Sequence, residues 1–263
     1  MPLFSQVEGK PENPVLVFLH GFLGNSHDWT DTIRHLRDDY YCVSIDLPGH
    51  GQSTSCIPPL QDGFTYCHRL IKSTLNTLQV KKYTLLGYSL GGRIALDYAR
   101  TQHDASLQGL ILESCHSGLT TAQDKNKRFQ QDQNWAKRLA SQSIAQSLAQ
   151  WYEQAVFSDM SAAQKDSVIK LRGQNLGVCV AAMLLATSLC RQTDALPFLQ
   201  RNNASKPPIY YAVGEKDKKF KALAGKLAEQ TDIKVSKFNG AGHNIHQQYP
   251  LQYAQFIRQC LST

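Results

Sequence analysis

Short apolar runs alternate with amphipathic segments along the first 115 residues. The runs have the length and the flanking turn residues of buried strands, and they lie at 15–19, 41–45, 83–87 and 107–113. The segments between them have helical spacing and lie at 29–37, 64–78 and 90–101. Alternation of this kind predicts an α/β protein with a mostly parallel central sheet and helices on both of its faces.

The pattern changes after Ser117. A long polar stretch, rich in Gln and Lys and helical in spacing, lasts until about residue 205. A strand pattern then resumes at 209–213, followed by a helix at 220–230, a strand at 234–238 and a helix at 250–261. We therefore predict a sheet core in two parts, 1–116 and 206–263, with a helical cap inserted at 117–205.

Composition fits one globular body. The chain has 263 residues, of which 42% are hydrophobic and 19% charged, so a large core can form. Its seven cysteines include no C-x-x-C pair, which favours reduced thiols over disulfides in an exported protein. The longest apolar stretch, 178–186, is too short to cross a bilayer, and no basic and apolar leader is visible. We expect a cytoplasmic location without membrane insertion, and we favour a monomer.

The formal net charge of +7 is compatible with nucleic acid or with an anionic substrate. No block of like charges and no nucleic-acid-binding signature is present, so we expect no nucleic-acid partner. An anionic small molecule stays possible. We expect no cofactor and no metal, because the Rossmann, Walker and metal-ligand patterns are absent.

The run GYSLGG at 87–92 lies between a predicted strand and a predicted helix. Glycines permit a sharp turn there, and the turn would hold the Ser89 hydroxyl at the positive end of the helix. A serine in a turn is often only a helix cap, but this context favours a catalytic nucleophile or base. The N–H groups of Leu90 and Phe22 are the candidate oxyanion hole, since Phe22 follows the first core strand.

A catalytic serine needs an imidazole, and His243 follows the final predicted strand. The acid that orients it should lie between the two in the chain, where Asp217 is the main candidate and Glu215 the competitor. His246 has no third metal ligand near it in the sequence, which favours a surface or supporting role. The turn-rich motifs contain three further polar residues that we interpret as loop braces: His20, Asp46 and His50.

Together these motifs resemble the 2-succinyl-6-hydroxy-2,4-cyclohexadiene-1-carboxylate synthases of menaquinone biosynthesis, which are α/β-hydrolase-fold enzymes. The resemblance runs from about residue 15 to 250. Its segments are FLHGFLG at 18–24, DLPGHG at 46–51, GYSLGGR at 87–93, GEKDKKF at 214–220 and GHNIH at 242–246, with the cap pattern around Trp135, Trp151 and 182–189. GYSLGGR and the cap pattern are the narrower signals, because the first two motifs are common to many α/β-hydrolases.

The resemblance implies a lyase. In that family the triad removes a proton α to a succinyl ketone and pyruvate leaves, and the substrate carries three carboxylates. The implied substrate-binding residues are Tyr88, Arg93, Arg128, Trp151 and Arg172. For Arg93 the alternative is an ion pair with Asp97 one helical turn later, and for the two cap arginines it is a solvated helix face.

A serine carboxylesterase or thioesterase with the same triad is the leading alternative, and its cap should present an apolar acyl pocket. A non-catalytic receptor on the same scaffold is the second alternative, although such proteins usually lose part of the triad. Contacts from the loop at 113–120 cannot be assigned from the sequence.

Overall fold

The computed structural model describes residues 1–201 and 206–262. The strands in these residues are β1 (Ser5–Glu8), β2 (Val15–Leu19), β3 (Tyr41–Ile45), β4 (Tyr83–Tyr88), β5 (Leu107–Glu113), β6 (Ile209–Gly214) and β7 (Lys234–Phe238). They form one sheet in the order β1-β3-β2-β4-β5-β6-β7. β1 runs antiparallel to β3, and each of the other neighbouring pairs is parallel. The predicted α/β class and mostly parallel sheet are confirmed.

Helices connect the strands. Their bounds are α1 Thr30–Arg34, α2 Gly63–Thr77, α3 Leu90–Thr101, α4 Ala122–Ser141, α5 Ile144–Trp151, α6 Ala162–Arg172, α7 Gly177–Ala186, α8 Leu196–Leu199, α9 Lys218–Gln230, α10 Ile245–Gln248 and α11 Pro250–Leu261. The predicted bounds of α3 and α11 match the structure. The segment predicted as a helix at 29–37 forms a shorter helix, α1, because the chain before it makes a 3₁₀ turn at Ser26–Trp29.

Alternation along the central strands places apolar side chains on both faces of the sheet. In β2, Val17 and Leu19 join the core that lies under α2, α3 and α9. Leu16 and Phe18 point the other way and join the core under α1 and α11. Because helices cover both faces, most residues of the central strands are buried, as the near-continuous apolar runs in the sequence indicated.

Five helices, α4 to α8, lie between β5 and β6 within the described residues. The cap predicted at 117–205 contains them, and its last four residues, 202–205, lie outside the described residues. The first four of these helices share an apolar cluster that also includes Leu23 from the loop after β2. The cap therefore packs onto the core beside the carboxyl end of the sheet, where parallel α/β folds bind ligands.

One strand of the fold was not evident from the sequence pattern. β1 was not predicted, because SQVE at 5–8 is short and mostly polar, as suits the edge of a sheet.

In the described part of the chain, no single helix meets the length and hydropathy expected of a membrane span, although α6 and α7 taken together meet them across a 99° bend.

Candidate active site

Ser89 occupies a strained turn between β4 and α3. Its φ of 49° and ψ of −104° lie in a region that non-glycine residues rarely adopt. The chain after Ser89 packs too closely for side chains at the two glycines that follow. A side chain at Gly91 would collide with the backbone carbonyl of Leu19, and one at Gly92 with Cys115. The glycines of the motif thus let the helix pack closely against β2 and β5 while the serine is held at the end of the sheet.

An imidazole and a carboxylate stand beside this serine. The Nδ1–H of His243 donates to Oδ2 of Asp217 at 2.6 Å, and Nε2 lies 3.4 Å from the Ser89 hydroxyl. Since Nδ1 carries the proton, Nε2 has a free lone pair that can accept the hydroxyl proton. The 3.4 Å distance is a long hydrogen bond, which is common in such sites before substrate binds.

Asp217 also caps the helix that follows it, since its Oδ1 accepts a hydrogen bond from the Phe220 N–H at 3.2 Å. The Phe220 ring then packs on the His243 ring, with centroids 4.9 Å apart. Glu215, the competing acid, instead accepts a hydrogen bond from the Gly240 N–H and is exposed. The structure therefore brings Asp217, and not Glu215, to the imidazole.

His246 is fully buried, so the surface position that the sequence allowed is wrong. Its Nδ1 lies 2.9 Å from both carboxylate oxygens of Glu113, at the end of β5. The same carboxylate accepts hydrogen bonds from the Ile245 and His246 N–H groups. Glu113 thus fixes the backbone two and three residues after His243, which is a supporting role rather than metal binding.

The loop after β2 is braced by two buried histidines, as the turn motifs suggested. Nε2 of His20 accepts from the Leu47 N–H at 2.9 Å, and Nε2 of His50 accepts from the Leu23 N–H at 3.1 Å. Burial lowers the pKa of both rings, to about 3 for His50, which keeps them neutral and able to accept. Asp46 accepts from the Ser26 and Gln52 N–H groups. These contacts fix the backbone on either side of Phe22.

A cavity of about 350 Å³ opens above the serine, between the core and the cap. Ser89, His243, Phe22 and Leu90 contribute to its lining. The N–H of Leu90 is the first of helix α3, where no carbonyl one turn earlier can accept its hydrogen bond. The positions predicted for the oxyanion hole are therefore at the cavity, and their role stays a prediction.

Arg93 lines the same cavity from the first turn of α3 and is only 8% exposed. It makes no ion pair with Asp97, which binds Arg100 at 2.6 Å, and it instead donates to the Thr187 carbonyl at 2.7 Å. Burial, and next the charge of Arg128, lower the pKa of Arg93 to about 10. A buried guanidinium without a carboxylate partner is costly, so this arrangement favours an anion in the cavity.

The two cap arginines differ from each other. Arg128, on α4, lines the cavity and pairs with Asp132 at 2.9 Å. Arg172, at the end of α6, is not among the residues that line it, and its guanidinium pairs with Asp28 of the core at 2.9 Å. Burial alone would lower the pKa of Arg172, but Asp28 outweighs burial and raises it. The structure thus brings Arg128 to the predicted site but does not bring Arg172.

The two predicted aromatic residues also differ. Trp151 lines the cavity, and its ring packs against Phe22 and Trp135 at centroid distances of 5.0 and 4.9 Å. Tyr88 is buried behind the site and lies 5.2 Å from the His243 ring, outside the lining. Tyr88 therefore contacts the His243 ring and does not line the cavity in this structure.

His116 and Lys219 are among the polar residues of the lining that sequence reasoning missed. Nδ1 of His116 accepts from the Gly118 N–H at 3.0 Å, so in the neutral ring the proton lies on Nε2. Burial, and next the charge of Lys219, lower the pKa of His116 to about 4, which makes it a neutral donor. Its position just past β5 was the available signal, because ligand sites form at the carboxyl ends of parallel strands.

Comparison with known proteins agrees with this geometry at the level of the class. The family model described as "alpha/beta hydrolase fold" matches residues 14–248. The chain belongs to the α/β-hydrolase fold family.

Within that family the chain groups with one set of enzymes. It is 40% identical to the 2-succinyl-6-hydroxy-2,4-cyclohexadiene-1-carboxylate synthase of Klebsiella pneumoniae, over 97% of this chain and 96% of that protein. It is 41% identical to the synthase of the same name from Yersinia pestis, over 95% and 88%. The solved structure of MenH from S. aureus is 29% identical, covers 98% of this chain and 97% of its own, and superposes with a TM-score of 0.88. These similarities confirm the resemblance drawn from the motifs.

Proposed function

We propose that this chain is a lyase that releases pyruvate from 2-succinyl-5-enolpyruvyl-6-hydroxy-3-cyclohexene-1-carboxylate. The other product is 2-succinyl-6-hydroxy-2,4-cyclohexadiene-1-carboxylate, the compound that its relatives are named for. One observation carries the proposal. A serine, an imidazole and a carboxylate in hydrogen-bonded order open onto a cavity that also holds buried Arg93, which has no carboxylate partner among the residues that the structure describes.

The reaction begins with a proton transfer. Ser89, made basic by Nε2 of His243, removes the proton from the ring carbon next to the succinyl ketone. The imidazolium that forms is stabilised by Asp217, which is 2.6 Å from Nδ1. The negative charge moves to the ketone oxygen, where the N–H groups of Phe22 and Leu90 can stabilise the enolate by about 3 kcal/mol.

The second step breaks a carbon–oxygen bond. As the enolate collapses, its electron pair forms a new ring double bond, the existing double bond shifts by one position, and the bond to the enolpyruvyl oxygen breaks. The departing enolate of pyruvate takes up the proton held by the triad at its methylene carbon and becomes pyruvate. Atoms and charge balance without an added oxidant, reductant or cofactor.

The positively charged side chains of the cavity bind the substrate in the proposed mechanism. The substrate has three carboxylates, and the cavity wall supplies Arg93 and Arg128. Each charge-assisted hydrogen bond in a partly desolvated pocket contributes about 2 kcal/mol. An apolar acyl pocket, expected of the carboxylesterase or thioesterase alternative, does not match a wall with these guanidinium groups. We accordingly propose a small tricarboxylate as the ligand. We also propose that the protein acts in the cytoplasm.

Pyruvate release from the enolpyruvyl substrate, followed beside hydrolysis of a p-nitrophenyl ester, tests this proposal. We expect rapid pyruvate release by the wild type, and a loss of at least about a hundredfold in Ser89→Ala. Ser55→Ala, which changes an exposed serine in a loop, is the matched control and should keep full activity. Ester hydrolysis that is much faster than pyruvate release in the wild type would instead identify an esterase.

A further inference from the structure

Lys219 lies in the first turn of α9, two residues after Asp217. It lines the same cavity as Ser89, Arg93 and Arg128. Its neighbour Phe220 packs against the His243 ring, so the backbone that carries Lys219 is fixed relative to the imidazole. The amine is therefore part of the wall that a ligand over Ser89 would meet.

The ion pairs of the site leave this amine available. Within residues 1–201 and 206–262, Arg128 is paired with Asp132 and Arg172 with Asp28, while no carboxylate lies within ion-pair distance of Lys219 or Arg93. Lys219 contacts the Phe220 ring, with its ammonium 5.3 Å from the centroid. The cavity thus holds two cations whose charge the protein does not neutralise by direct contact.

The position is unfavourable for a lysine in the free protein. The N-terminal end of a helix carries partial positive charge, and although the Asp217 carboxylate caps this end of α9, the first turn itself contains no acidic residue. Although Lys219 is an exposed residue, the surrounding protein desolvates its ammonium, and this effect, followed by repulsion from Arg128, lowers its pKa. A bound anion would relieve each of these costs, because it would accept from the ammonium and face the positive end of the helix.

We infer that Lys219 is the third carboxylate-binding group of the cavity and that, together with Arg93 and Arg128, it selects a tricarboxylate. Arg172 is committed to Asp28 outside the lining, so Lys219 completes the set. This inference rests on the proposed function for the identity of the substrate. The binding of a polycarboxylate at this cavity can be measured without that assumption.

Steady-state pyruvate release by Lys219→Met is the first test. Met keeps the length and apolar character of the stem but removes the charge, and we expect KM to rise about tenfold or more. Lys218→Met is the matched control, since Lys218 is exposed, precedes Lys219 and does not line the cavity. Lys219→Arg should restore KM to within about threefold of the wild type, because a guanidinium keeps the charge. Equal KM values for the two Met variants would overturn the inference.

Citrate binding is the second test and requires no turnover. Trp135 and Trp151 line the cavity, so tryptophan fluorescence can report occupancy there. We expect wild type and Lys218→Met to bind citrate equally, and Lys219→Met to bind it about tenfold more weakly. Succinate, with one carboxylate fewer, should discriminate less between these proteins. Citrate affinity unchanged in Lys219→Met would overturn the inference.

The two tests separate the two proposals. If the wild type releases no pyruvate but Lys219→Met loses citrate affinity, the proposed reaction fails and the assignment of Lys219 stands. If the wild type releases pyruvate and Lys219→Met matches Lys218→Met in both KM and citrate affinity, the reaction stands and the assignment of Lys219 fails.

Discussion

The core and the cap contribute to the candidate site in different ways. The core supplies Ser89, His243 and Asp217, each on a short turn at the carboxyl end of a strand and joined to its neighbour by hydrogen bonds. The cap supplies Arg128 and Trp151 from helices that pack against the core mainly through apolar and aromatic contacts. In the proposed reaction, the chemistry therefore depends on the local backbone geometry of the core, whereas substrate selection depends on how the cap is placed over it.

Two arginines make contacts between these regions. Arg93 belongs to the core and donates to the Thr187 carbonyl of the cap. Arg172 belongs to the cap and pairs with Asp28 of the core. Among residues 1–201 and 206–262, no carboxylate pairs with Arg93 at the cavity, whereas Asp28 neutralises the charge of Arg172. This comparison predicts that Arg93 mainly affects substrate affinity and that Arg172 mainly affects stability.

The largest effect should come from the core. Asp217→Asn removes the charge that stabilises the imidazolium and can reverse the tautomer of His243, so we expect kcat for pyruvate release to fall about a thousandfold. Citrate affinity should change little, because Asp217 binds no ligand in the proposed mechanism. Glu215→Gln, which changes the neighbouring acid, should keep nearly full activity. A large loss in Glu215→Gln with little loss in Asp217→Asn would reverse the assignment.

The next effect should come from Arg93. Arg93→Met leaves one substrate carboxylate unpaired in a desolvated wall, so we expect kcat/KM to fall by a factor equivalent to about 2 to 4 kcal/mol, mostly through KM. Arg100→Met is a suitable control on the same helix, since Arg100 pairs with Asp97 away from the cavity. Unchanged KM in Arg93→Met would remove the basis for a cationic pocket.

Arg172 should show the opposite balance. Arg172→Met leaves the largely buried Asp28 without its partner, and we expect the free energy of unfolding to fall by about 3 kcal/mol in urea titrations. The rise in KM should be smaller than that caused by Arg93→Met. If Arg172→Met instead raised KM as much as Arg93→Met at unchanged stability, Arg172 would act on the substrate, as the family resemblance first suggested.

The smallest effect should come from an exposed contact between cap and core. Asp159 accepts a hydrogen bond from Gln248, whose own oxygen accepts from the Gly242 N–H beside His243. Because this contact is exposed, Asp159→Ala should cost less than about 1 kcal/mol of stability and leave kcat/KM within about threefold. A loss of kcat comparable to that in Asp217→Asn would show that the cap positions the imidazole.

Much of the core site could be predicted from the sequence, because each part is local. GYSLGG encodes its own turn, and the order of Ser89, Asp217 and His243 along the strands sets which carboxyl ends they occupy. The strands β2 to β6 were visible as apolar runs, and β7 was also predicted although Lys234, Ser236 and Lys237 in it are polar. The exception is β1, whose polar residues at the sheet edge carry little periodic signal.

The cap side could be predicted less well, since its contacts are not local. The Arg172–Asp28 pair joins residues 144 positions apart, and no periodicity reports such a partner. Lys219 lies just before the helix predicted at 220–230 and was not assigned to the site, and its position at the cavity depends on how α9 packs beside the cap. The two lysines directly after Asp217, against the helix dipole, were the only local sign.

The most direct measurement is a titration of Ser89→Ala with the enolpyruvyl substrate, in which bound substrate and released pyruvate are followed in the same samples. If the core carries out the chemistry and the cap and its cations bind the substrate, Ser89→Ala should bind the substrate saturably, with an affinity close to that of the wild-type protein. Its pyruvate release should fall by at least about a hundredfold. Pyruvate release at the wild-type rate, or loss of substrate binding in this variant, would contradict it.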